Sequence, residues 1–91
     1  MITEKEALKS IGDRLATLRI GKGYSSYEAF AIEFELSRMQ YWRMETGKAN
    51  LTIRSLVTVL NIHEITFEDF FKIKAEPQVK ESSKKQKSKQ K

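Results

Sequence analysis

SRMQYWRMETGK, residues 37–48, holds two arginines, two methionines, a tyrosine and the only tryptophan of the chain. With Ser37 as N-cap and Arg38 as the first helical residue, each further residue turns the helix by about 100°. Tyr41 and Met44 then share one arc, joined by Leu36 just before the helix. Arg38, Met39, Trp42 and Arg43 share another, and Glu45 falls near the boundary. The first arc reads as core. The second is basic and partly apolar, with no acidic residue in it. Arginine's planar fork suits the acceptor edge of guanine and suits phosphate. Methionine and tryptophan can cover thymine methyls or sugar. Ser37 and the free amides of the first turn are placed to donate to a phosphate. The same side chains also suit a protein interface. Periodicity and charge therefore leave a DNA groove and a protein surface both open.

Outward from this stretch, every segment reads as helix. Thr3-x-x-Glu6 is a capping box, and Leu8, Ile11, Leu15 and Leu18 follow at helical spacing. Gly21 and Gly23 end that helix. Ser25 or Ser26 caps a second helix, with Glu28 completing a box if Ser25 is the cap. Its apolar stripe is Tyr27, Phe30, Ala31 and Phe34. The third helix runs from Ser37 to near Gly47. Asn50 or Thr52 starts a fourth, with Ile53, Leu56, Val57 and Leu60 as its stripe. Thr66-x-x-Asp69 caps a short fifth holding Phe67, Phe70 and Phe71. The expectation is a compact all-α domain of five helices over residues 1–73. A disordered, lysine-rich tail is expected over 74–91, from Pro77 and the run VKESSKKQKSKQK.

The charge is unevenly placed. The formal net charge is +5, yet residues 1–71 hold nine Lys/Arg against ten Asp/Glu. Residues 72–91 hold eight lysines against two glutamates. Within the body, 36–54 carries Arg38, Arg43, Lys48 and Arg54 against Glu45 alone, while 61–71 carries only acids. A basic patch on an otherwise near-neutral domain points to a polyanion partner. The chain has no cysteine, which excludes a disulfide scaffold, a thiolate metal site and a cysteine nucleophile. No signal peptide and no apolar run long enough for a membrane span is visible, so the cytoplasm is the expected compartment.

The stretch SSYEAFAIEFELSRMQYWRMETGKANLTIRSLVTVLNIHEITFEDFF resembles the helix-turn-helix domain of the phage repressor and Cro family of regulators. The matching features span about residues 8–71. They are the Arg-x-x-x-Gly end of helix 1, the Ser-capped helix 2 with Phe30-Ala31 and Phe34, and Leu36-Ser37-Arg38. Tyr41, Met44-Glu45, Gly47-Lys48 and Asn50 follow, then the helix 4 stripe and the closing Phe-Phe. The resemblance implies a lambda-repressor-like fold with helix 3 in the major groove of double-stranded DNA. It implies base-edge or adjoining contacts from Ser37, Arg38, Met39 and Arg43, with Trp42 against sugar or a thymine methyl. It implies phosphate contacts from Tyr27, Thr46 and Lys48. The link from Arg19 to Ser26 is one residue longer than usual, which leaves the first of these open between Ser26 and Tyr27. Glu45 would pair with an arginine of helix 1, Arg19 first and Arg14 second. The family prefers glycine where this chain has Glu35. A left-handed Glu35 would cost about 1 kcal/mol or more, which favours a re-shaped turn.

The other residues carry less. His63 is the only histidine and reads as a partly buried helix-end residue, with no second histidine for a metal pair. Gly21-Lys22-Gly23 follows a helix and is no P-loop. Ser25, Ser26 and Ser55 have no histidine placed to activate them. Neither an enzyme, nor a metal, nor a cofactor is expected. Val59, Ile62, Phe70 and Phe71 either fill the core or form a homodimer face on helices 4 and 5. The tail is expected to add sequence-independent affinity for DNA. The function expected is a DNA-binding transcription regulator. The alternatives are an antitoxin that also binds a toxin, and a protein-interaction adaptor that touches no DNA.

Overall fold

The computed structural model describes residues 1–74. The tail expected over 74–91 lies, beyond Lys74, outside the described residues. The helices are α1 (Glu4–Gly21), α2 (Tyr27–Glu33), α3 (Arg38–Thr46), α4 (Ile53–Ile62) and α5 (Phe67–Lys72). There is no strand among the described residues.

Each start has a local cause. Helical ends leave backbone amides without partners, and short hydroxyl side chains satisfy them. The Thr3 hydroxyl accepts from the Glu6 amide at 3.0 Å, and Glu6 Oε1 accepts from the Thr3 amide at 2.9 Å. For α2 the cap is Ser26, accepting from the Ala29 amide at 3.0 Å, so a box between Ser25 and Glu28 does not form. Thr52 caps α4 and Thr66 caps α5, accepting from Ser55 and Asp69.

Four helices end the same way, with a left-handed residue closing the last turn at Gly23, Glu35, Gly47 and Glu64. After α2 the Glu35 amide donates to Ile32 at 3.2 Å and the Leu36 amide to Ala31 at 2.8 Å. After α4 the Glu64 amide donates to Asn61 at 3.1 Å and the Ile65 amide to Leu60 at 3.2 Å. Both are Schellman closures, in which the residue after the left-handed one packs on the core, as Leu36 and Ile65 do. The turn between α2 and α3 is therefore not re-shaped by the missing glycine. Glu35 sits at φ 59°, held by two backbone hydrogen bonds and the packing of partly buried Leu36 on the core, which offset a penalty of about 1 kcal/mol.

The core is Leu15, Phe30, Ala31, Tyr41, Met44, Leu56, Val59, Leu60 and Phe70. Phe30 is its hub, with the rings of Tyr24, Phe34, Tyr41 and His63 at 4.9–5.5 Å. The α4 stripe differs from the spacing reading. Leu56, Val59 and Leu60 are buried, whereas Ile53 is 64% and Val57 41% exposed. Six apolar residues occupy most of the circumference of α4, so spacing alone does not select the face. Packing against the rest of the core selects it.

His63 caps the end of α4 and stacks on Phe30 at 5.3 Å with nearly parallel rings. Burial holds its pKa below the ordinary 6.5, and the charge of Lys22 pushes in the same direction. The folded chain thus binds fewer protons here than the unfolded chain as pH falls through 6.5. This part of the stability is complete above that pH and is lost as pH falls toward the folded value. Urea midpoints measured from neutral to mildly acid pH should fall for the wild type and fall less for His63→Gln. Equal slopes would refute the assignment.

Candidate nucleic-acid interface

The turn at Glu35 sets α3 across α2, and Ser37 starts it with extended backbone and its hydroxyl accepting from the Gln40 amide at 3.2 Å. Tyr41 and Met44 are buried in the core. Ser37, Arg38, Met39 and Arg43 are exposed, Met39 at 57%. Neither Arg38 nor Arg43 has an ion-pair partner among the described residues. Two unpaired guanidinium groups flank an exposed methionine on a helix with no acid in its first turn. Such a face attracts a partner that supplies negative charge and acceptor edges.

Trp42 is placed differently from the isolated-helix reading. It is half-buried and walls a crevice of about 430 Å³ between α3 and α1, with Ala16, Arg19, Glu45 and Lys48 among the other walls. An isolated helical wheel has no neighbour, and α1 covers the side that the wheel leaves open.

Beneath the crevice the Arg19 guanidinium meets Glu45 two-handed, Nε to Oε2 at 2.6 Å and Nη2 to Oε1 at 3.1 Å. Its Nη1 donates to the Tyr24 carbonyl at 2.7 Å. Both side chains of the pair are 9% exposed. Burial alone would lower the Arg19 pKa, but the hydrogen bond and charge of Glu45 hold it above its ordinary value. Arg14 turns elsewhere, donating to the Ser10 carbonyl at 3.2 Å and lying 5.8 Å over the Phe71 ring. The Tyr41 hydroxyl lies buried with no hydrogen-bond partner among the described residues. Burial and then the charge of Glu45 raise its pKa, so it stays neutral.

The side chains expected at phosphates, and Ser26 with them, lie on three elements: the start of α2, the end of α3 and the loop after it. Ser26 is engaged as an acceptor at the α2 cap and keeps its hydroxyl proton. Tyr27, the first residue of α2, is half-buried against the core. The Thr46 hydroxyl donates to the Trp42 carbonyl at 2.8 Å, which leaves it only as an acceptor. Lys48 is exposed, one residue past the left-handed Gly47.

Gly12 is a determinant that spacing did not reveal. A Cβ there would lie 2.2 Å from the Glu45 carbonyl oxygen, so α1 and α3 approach backbone to backbone at this point. The available signal was an isolated glycine inside the stripe of Ile11 and Leu15.

Five helices in this order, with α2 and α3 joined by a tight left-handed turn and α3 carrying the exposed arginines, give this chain a helix-turn-helix fold of the repressor/Cro type. Among solved structures the chain is similar to the restriction-modification controller protein C.AhdI from Aeromonas hydrophila. The TM-score is 0.62 at 28% identity, covering 71% of this chain and 97% of that one. No family model matches the chain, and no curated protein does. No described helix is long and apolar enough to cross a membrane.

Proposed function

We propose that the protein is a sequence-specific double-stranded DNA-binding transcription regulator that reads the major groove with α3. The observation that carries this reading is the exposed, acid-free face of Arg38, Met39 and Arg43 on a helix fixed by its buried side. Ser37 caps that helix and can donate its hydroxyl proton to a phosphate. Lys48 and Tyr27 would position the DNA backbone. Trp42 would meet sugar rather than a base, because α1 holds half of it. The likeness to a restriction-modification controller protein supports a controlling role of that kind.

The test begins with a duplex recovered from a random-sequence pool by the full chain. Arg38→Ala and Arg43→Ala should each weaken binding to that duplex by about 1–3 kcal/mol and relax base preference. If both variants bind it as well as the wild type, α3 is not the reading helix.

A homodimer through α4 and α5 belongs to the same reading. Two reading helices about one DNA turn apart would match a two-fold site. The face differs from the sequence expectation, since Val59 and Phe70 are core while Ile53, Val57, Phe67 and Phe71 are exposed. Phe67 and Phe71 stack edge to face at 5.0 Å, a preformed apolar step on α5. Val57→Asp should shift the chain to monomer in equilibrium sedimentation and cut DNA affinity at least tenfold. A wild-type monomer that binds DNA at one protomer per site would overturn the dimer. A complex with a second, toxin-like protein through the same face would identify an antitoxin instead.

A further inference from the structure

A cleft of about 680 Å³ opens where the first turns of α1 pass the loop after α3 and the segment after α5. Lys5 and Lys9 enter it from α1, Lys48 from the loop and Lys74 from the far wall. Two carboxylates line it and both are engaged. Glu6 Oε1 accepts from the Thr3 amide at 2.9 Å, and Asp13 pairs with Lys9 at 2.6 Å. Lys5, Lys48 and Lys74 have no ion-pair partner among the described residues.

The core and the helix caps use none of these three charges. Like charges around one cleft repel, and a bound polyanion removes that repulsion. The cleft also shares Thr46 and Lys48 with the crevice beside Trp42. A basic track therefore runs along the α1–α3 seam from the reading helix to Lys74. Beyond Lys74 the sequence holds six more lysines against two glutamates.

We propose that this cleft docks the sugar–phosphate backbone of DNA flanking the segment read by α3, with Lys5 and Lys74 each neutralising a phosphate. The proposal rests on the DNA-binding reading above. It adds a second contact surface, outside the helix-turn-helix, that senses the length of the duplex and not its sequence. Duplex DNA is the occupant because the cleft is open to solvent and continuous with the reading helix through Lys48.

The experiment compares the full-length wild type with Lys5→Gln/Lys74→Gln, a pair outside the reading face. Each is titrated over a salt series against two duplexes. One is the selected duplex trimmed to its protected core, and the other carries about one helical turn of arbitrary sequence on each side. Each neutralised phosphate adds about 0.9 to the slope of log affinity against log salt. The double variant should lose about 1.8 of slope per bound protomer on the long duplex and keep the wild-type slope on the trimmed one. An unchanged slope on the long duplex overturns the proposal. An equal loss on both duplexes also overturns it, because the lysines would then act only as diffuse charge. A nucleoside triphosphate that binds the wild type at micromolar levels and not the variant would make the cleft a small-anion site and equally overturn it. If instead Arg38→Ala and Arg43→Ala both leave binding to the trimmed core intact, the underlying reading of α3 fails, which is a different result.

Discussion

Gly12→Ala is expected to cost at least about 3 kcal/mol, since an added methyl meets a closer backbone contact here than at any other glycine. The new Cβ would stand 2.2 Å from the Glu45 carbonyl oxygen, 2.7 Å from its carbon and 2.8 Å from the Met44 oxygen. All three are backbone atoms in the last turn of α3, so no side chain can swing aside. The helices must separate by more than an ångström, and that opens the core around Leu15, Tyr41 and Met44. A domain of this size holds only about 4–10 kcal/mol in total. Thermal unfolding followed by circular dichroism gives the readout. Gly21→Ala is the matched control: it adds the same methyl at the end of the same helix with nothing within 4 Å. It should stabilise by about 0.5–1 kcal/mol, since alanine favours helix and glycine loosens the unfolded chain. If both variants melt together, the close approach of α1 and α3 is wrong.

Glu45→Gln should cost about 3 kcal/mol or more, for an electrostatic reason. It leaves the Arg19 guanidinium in a site where its side chain is only 9% exposed, with the Tyr24 carbonyl as the remaining strong acceptor. A buried charge without its counterion is far costlier than the pair was stabilising. The double variant Arg19→Met/Glu45→Leu should therefore recover most of the loss and lie within about 1 kcal/mol of the wild type. That non-additivity in denaturant unfolding is the signature of the pair. Single and double variants with equal losses would show that packing, not charge, matters at this seam. Because Glu45 lies on α3, the helix proposed to read DNA, the single variant should also weaken DNA binding, through the setting of α3 on α1.

How much of this was legible beforehand can be judged residue by residue. The caps at Thr3, Ser37 and Thr66 are local chemistry: a hydroxyl three residues before an unpartnered amide satisfies it in any context. The helix ends at Gly23 and Gly47 are equally local. Glu35 is the opposite case. Its own preference argues against a left-handed turn, and the packing of partly buried Leu36 on the core overrides it. The inward arc of α3 was readable because Tyr41 and Met44 are its only core-facing side chains. The face of α4 was not, because six apolar residues surround it and the neighbours decide which are covered.

By itself, the sequence determined five helices, their order and the arginine face. These depend on interactions within about four residues along the chain. The tertiary structure alone decided what lies between α1 and α3. Gly12 matters only because α3 passes over it, and Trp42 is half-covered only because α1 lies beside it. Lys5 and Lys74, 69 positions apart, share a cleft only because the chain returns to its start after α5. Contacts of that range leave no period or spacing in the sequence, since each depends on the position of a whole helix and not on a neighbour a turn away.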